Sequence, residues 1–113
     1  MADAEHDVQP PEAAAMHRAG EAQLVDVRTP AEYEAGRIAG ITHIEVNELS
    51  ARASELDPDR PVVFVCRSGG RSAMATTAFR RAGYDAHNMA GGMLAWVREG
   101  LQIEPATGQV IDH

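Results

Sequence analysis

The chain has few of the groups that many functions require. It has one cysteine, Cys66, which excludes an intrachain disulfide, argues against a thiolate zinc site and leaves no second thiol to resolve a modified sulfur. No apolar run approaches the ~18 residues of a membrane-spanning helix. The opening MADAEHDVQPPE is acidic and has no apolar stretch of the kind a secretory signal carries, so a cytoplasmic protein is expected. Basic residues are also scarce: 10 Lys and Arg against 17 Asp and Glu give a net charge of −7. Nucleic acid and anionic membrane are therefore disfavoured as partners, since either needs a basic face. At 113 residues a duplicated enzyme does not fit, and one domain over residues 1–113 is expected. A chain of this size buries roughly two-thirds of its unfolded surface, enough for an independent core.

What is present is an ordinary globular composition, 44% hydrophobic and 24% charged, with fraying expected only for residues 1–5. The central feature is the stretch 61–81, PVVFVCRSGGRSAMATTAFRR. Val62, Val63, Phe64 and Val65 form a short unbroken β-branched and aromatic run, which suits a strand buried on both faces in a parallel sheet. Cys66 ends it. Arg67, Ser68, Gly69, Gly70, Arg71 and Ser72 cannot continue a central strand, because paired glycines weaken one and let the backbone curl. From Ser72 the pattern turns helical, with an apolar stripe expected through Ala75, Ala78, Phe79 and Ala82, and Gly83 just past the end.

A loop that wraps from a strand end into a helix start turns several backbone N–H groups inward and adds the positive end of the helix dipole, so it forms an anion cradle. A sulfur at its rim is held in the reactive thiolate form by such surroundings. Two arginines beside a helix N-terminus oppose the dipole unless an anion sits among them, so Arg67 and Arg71 are expected to partner one. Four residues separate Cys66 from Arg71, one fewer than in the related cysteine phosphatase loop, which holds a tetrahedral oxyanion about its sulfur. The smaller cradle fits one added sulfur on Cys66, a persulfide anion held by N–H donors and the Ser68 and Ser72 hydroxyls.

With these residues in view, the sequence resembles the single-domain members of the rhodanese (thiosulfate sulfurtransferase-like) family. The resemblance rests on three blocks in order: LVDVRTPAEYEAGRIAG at 24–40, CRSGGRS at 66–72 and NMAGGMLAWVREGL at 88–101. It departs at 36–41, where GRIAGI stands in place of the G-H-I-P-G-A usual in relatives. The resemblance implies a three-layer α/β fold with a parallel sheet of about five strands and helices on both faces. It also implies ping-pong transfer of sulfane sulfur from thiosulfate or a similar donor to cyanide or a thiol. Cys66 carries the sulfur as its persulfide, and no other cofactor is expected. Asp26 and Arg28, at the end of the strand at 22–27, are implied to be mainly architectural with a possible second-sphere role, and Arg37 a second-sphere anion contact.

Other readings stay open beside this one. A partner-dependent sulfur-relay or binding module keeps the same loop and takes sulfur from a protein donor or passes it to a protein acceptor; phosphatase or arsenate reductase activity is a third class, and a buried inert cysteine the structural alternative. Elsewhere the chain reads as scaffold. Strands are expected near 6–8, 42–46 and 84–89, and helices at 11–19, 47–53 and 93–99. Thr29, Pro30 and Glu32 form a capping box. Glu32, Glu34, Arg37 and His43 are read as solvated charges, His17 as a partly exposed helix residue, His87 as a packed or edge residue, and Trp96 as a core anchor. The tail at 102–113 is mostly polar, and the sequence leaves open whether it packs back or stays free.

Overall fold

A computed structural model describes residues 6–112; the expected fraying of residues 1–5 lies outside them. Five strands, β1 (Asp7–Val8), β2 (Gln23–Asp26), β3 (Thr42–His43), β4 (Val62–Val65) and β5 (Ala86–Met89), form one sheet in the order β1-β5-β4-β2-β3 with every pairing parallel. Parallel neighbours need crossovers, and these are α1 (Pro10–Ala19), α2 (Pro30–Ala35), the short α3 (Leu49–Arg52) and α4 (Gly70–Arg81), with α5 (Gly92–Arg98) after the last strand. The α/β architecture expected from the sequence is the one observed.

The central strand is β4, and all four of its residues are fully buried, as its unbroken apolar run requires. Alternation along it divides the core in two. Val63 and Val65 pack with Ala13 and Ala14 of α1 and Met93 and Trp96 of α5. Val62 and Phe64 pack on the other side with Leu49 of α3 and Ala75 and Phe79 of α4. Each such side chain contributes about 1.5–3 kcal/mol by leaving water. Trp96 is the expected core anchor, 4% exposed, with its indole N–H donated to the Gln102 carbonyl at 2.9 Å.

Two expectations are corrected, and a question the sequence left open is answered. The inward face of α4 is Ser72, Ala75, Thr76 and Phe79, while Ala78 and Ala82 are exposed. Two hydroxyl residues occupy that face because each has a partner, Thr76 Oγ1 donating back to the Ser72 carbonyl at 2.8 Å and Ser72 facing Cys66. β3 stops at His43, since the chain then tightens into a 3-10 turn at Val46–Glu48. The tail folds back: Arg37 and Glu104 exchange backbone hydrogen bonds of 3.0 and 2.7 Å, Gln109 N–H donates to Ala35 at 2.8 Å, and Ile103 and Val110 pack on the core.

The end of β2 is fixed by a fully buried ion pair. Arg28 donates from Nε to Asp26 Oδ1 at 2.9 Å and from Nη2 to Oδ2 at 2.7 Å, and Nη2 also reaches the Gly36 carbonyl at 2.8 Å, tying the strand to the end of α2. Asp26 and Arg28 thus make the contacts between neighbouring elements that an architectural role requires. Removing one partner strands the other charge without water. Asp26→Ala should cost about 3–5 kcal/mol in urea unfolding; a loss below about 1 kcal/mol, typical of exposed pairs, would show that the pair does not hold this end of the sheet.

Candidate active site

In open parallel sheets ligands gather at the carboxyl ends of strands where successive crossovers run in opposite directions. Here β2 leads outward to β3 on one side and β4 leads to β5 on the other, so the switch lies between β2 and β4, whose ends pair at Asp26 and Val65. Cys66 is the next residue. It is 1% exposed and sits at the edge of the core cluster with Phe64 and Ala75, so the sulfur is at the floor of the loop, not at the rim as the sequence suggested.

The polarity of the loop is set from behind, by α5. The carbonyls of Cys66 and Arg67 accept from the Met93 and Leu94 amides at 2.8 and 3.0 Å. Because each trans peptide holds its N–H opposite its C=O, capturing these carbonyls turns the amides of Arg67 and Ser68 away from α5. The approach is so close that a Cβ on Gly92, at φ +60°, would run into both carbonyl oxygens. At the other end Gly69 takes φ +110°, a conformation that L side chains rarely adopt, and its amide donates to Cys66 Sγ at 3.0 Å. The Ser72 amide donates to the same sulfur at 3.4 Å, and Ser72 Oγ lies 3.2 Å from it. The sulfur therefore meets main-chain donors at the positive end of α4.

The two loop arginines are placed differently from expectation. Arg71 is committed to Glu32, Nη1 to Oε1 at 2.8 Å and Nη2 to Oε2 at 2.9 Å. Glu32 was read as a solvated charge, but it is fully buried. Its Oε1 also accepts from the Thr29 amide and hydroxyl, each at 3.1 Å, so one carboxylate closes the capping box of α2 and anchors the first turn of α4. Burial by itself raises the Glu32 carboxyl, yet the Arg71 bonds and the Thr29 amide outweigh it and hold the group down at about 2. The same bonds raise Arg71. Arg67 pairs with Asp112 of the tail at 3.0 Å, and Asp112 is 85% exposed.

The remaining candidates separate. Ser68 is exposed and makes no hydrogen bond to the sulfur; Gly70 is exposed at the start of α4. Arg37 lies over the Tyr33 ring, 5.1 Å from its centroid, with Glu104 at 3.6 Å, so it belongs to the tail contact and has no contact with the cysteine loop. Asn88 was missed: its Oδ1 accepts from Ser72 Oγ at 2.5 Å, directly behind the sulfur. A polar residue in a strand otherwise buried at Ala86 and Met89 was the available signal. Among the described residues no cluster of His, Cys, Asp and Glu suits a metal ion, and no helix is long and apolar enough to cross a membrane.

Comparison with known proteins gives a consistent result. Residues 9–99 match the Rhodanese-like domain. The chain is 42% identical over 86 residues to a sulfurtransferase of Allochromatium vinosum, covering 75% of this chain and 80% of that one. It is 34% identical over 100 residues to a thiosulfate sulfurtransferase of Pseudomonas paraeruginosa, covering 88% and 90%. The crystal structure of a rhodanese-related protein from Thermoplasma volcanium superposes with a TM-score of 0.80 at 26% identity, covering 87% of this chain and 96% of that one.

Two outcomes follow from this geometry. The unfolded Glu32 carboxyl takes its proton near 4.5 and the folded one only near 2, so its contribution is complete above pH 4.5 and lost as pH falls toward 2. In urea unfolding from neutral to acid pH, Glu32→Gln should be less stable near neutrality by up to about 3 kcal/mol and should lose less on acidification; an acid slope equal to the parent's would contradict the pairing. Gly92→Ala should cost about 2–4 kcal/mol through overlap and left-handed strain, with Cys66 alkylation altered; a neutral effect would mean that α5 does not seat the loop.

Proposed function

The chain belongs to the rhodanese-like domain family, and from that premise we propose that it is a sulfurtransferase that carries sulfane sulfur from thiosulfate, or a donor like it, on Cys66. In the first half-reaction Cys66 Sγ attacks the outer sulfur of thiosulfate, the S–S bond of the donor breaks, and sulfite leaves with the bonding electron pair. Cys66 is then a persulfide. In the second, cyanide or a thiolate attacks the terminal sulfur and Cys66 departs as thiolate, so no external oxidant or reductant is consumed. No cofactor beyond this covalent intermediate is needed.

The observation that carries the reading is the pair of amides, Gly69 and Ser72, directed at the sulfur from a loop whose rear carbonyls are held by α5. Such donors stabilise charge on sulfur in the thiolate and in the persulfide without having to reorganise between them. The Arg67 to Asp112 pair serves donor capture: an exposed pair is worth only about 0–1 kcal/mol, so an anionic donor can displace Asp112 from a guanidinium next to the nucleophile. Arg71 does not serve this role; it holds the loop. The loop, one residue shorter than a phosphatase loop, favours a single sulfur over a tetrahedral oxyanion. A lone reduced cysteine suits a cytoplasmic setting, with a small-molecule donor and a thiol or cyanide acceptor as partners.

Intact mass measurement after thiosulfate treatment should show a gain of one sulfur, about 32 Da, removed by cyanide or dithiothreitol and absent in Cys66→Ser. No gain from thiosulfate, with uptake from a cysteine desulfurase persulfide instead, would replace this reading with that of a relay module dependent on a protein donor.

A further inference from the structure

The Ser72 hydroxyl has one proton and two acceptors competing for it. Cys66 Sγ lies 3.2 Å from Ser72 Oγ, and Asn88 Oδ1 lies 2.5 Å from it on the other side. The parallel register of β1 with β5 sets Asp7 beside Asn88, and Asn88 Nδ2 donates to Asp7 Oδ1 at 3.3 Å. A carboxylate only accepts, so Asp7 fixes which end of the amide faces it and leaves Oδ1 turned toward Ser72. Ser72 is fully buried and Asn88 is 6% exposed, so water does not readily supply a substitute donor.

We propose that Asn88, oriented by Asp7, is a positioning residue for Cys66 that claims the Ser72 hydroxyl proton and so controls whether that hydroxyl donates to the sulfur. With the proton on the Asn88 side, Ser72 Oγ presents a lone pair to Cys66, which suits a neutral S–H donating to it. When the sulfur is anionic the hydroxyl must rotate toward it, and two oxygens then face each other across 2.5 Å unless the amide turns over. Turning over would set Oδ1 against the Asp7 carboxylate. The Asp7, Asn88 and Ser72 chain thus opposes early ionisation in the resting enzyme, acting against the Gly69 and Ser72 amides that favour it.

The arrangement rests on the proposed sulfur-transfer site and extends it behind the sulfur. Asp7 and Asn88 also line a cavity of about 270 Å³ with His6, Thr76 and Arg80, between β1, β5 and α4. Other charges near the sulfur are each paired: Arg71 with Glu32, Arg67 with Asp112, and Arg28 with Asp26. The carboxylate of Asp7 acts on the sulfur through Asn88 and Ser72.

The test is the thiolate ultraviolet absorbance of the single cysteine against pH, which needs no sulfur donor and stands or falls apart from the transfer reaction. Asn88→Leu removes the competing acceptor, and Asp7→Asn releases the amide. Each should move the titration midpoint down by about half to one pH unit, the worth of one hydrogen bond. In a Ser72→Ala background the effect of Asn88→Leu should fall to less than half. A midpoint unchanged or raised in whichever variant keeps its circular dichroism, or an undiminished shift without the hydroxyl, overturns the proposal. A merely structural Asn88 would lower the melting temperature and leave the midpoint in place.

Discussion

The capture of two carbonyls by the start of α5 is the constraint on which the site depends. A peptide unit has one polar edge of each sign, and once the Cys66 and Arg67 oxygens are taken by Met93 and Leu94 the Arg67 and Ser68 amides must face away from α5. Beyond those two peptides the left-handed turn at Gly69 and the first turn of α4 bring the Gly69 and Ser72 amides to the sulfur, and the close approach of α5 leaves no room for a side chain at Gly92. The cysteine is then buried yet hydrogen-bonded at its sulfur. Its surroundings are apolar on the sheet side and hydrogen-bonding on the loop side, a combination that suits a sulfur that alternates between charged and covalently occupied states.

Glu32 holds the other end of the loop. A buried carboxylate is costly unless nearly every lone pair is used, and here four donor groups, two on Thr29 and two on Arg71, use them. The consequence for electrostatics is a trade. Arg71 steadies the first turn of α4 and is neutralised in doing so, which leaves Arg67 as the loop cation whose partner, Asp112, is exposed and exchangeable. In a chain with a net charge of −7, the proposed capture of an anionic donor rests on one local guanidinium and the two amides on the sulfur.

Much of this was legible in the residues, and what was not has a physical reason. The run at 62–65 announced a doubly buried strand, the glycines at 69 and 70 announced the turn, and Thr29 with Glu32 announced a cap, because each signal is local. The second duty of Glu32 was invisible because its partner lies 39 residues away and a capping acid looks the same whether solvated or buried. Arg67 met Asp112 through a tail whose return depends on Arg37 pairing with Glu104, a contact between two segments that carry no local pattern. The stripe on α4 was misread because hydrophobicity was counted and satisfied hydroxyls were not. Ser72 and Thr76 face inward at no net cost once bonded. Asn88 escaped for the same reason, a polar residue whose meaning appears only when Ser72 and Asp7 are set beside it.

The central claim is that the amides of the loop between Cys66 and Ser72 are the groups that hold charge on the sulfur. Amide proton shifts in nitrogen-15-labelled protein, compared before and after Cys66 is converted to its persulfide, test it directly. The Gly69 and Ser72 protons should move most, downfield, with their neighbours in the loop following and β2 and α1 unmoved. If the loop amides shift no more than those of the distant helices while the sulfur is known to be loaded, the sulfur is held by something else and the account of the cradle is wrong.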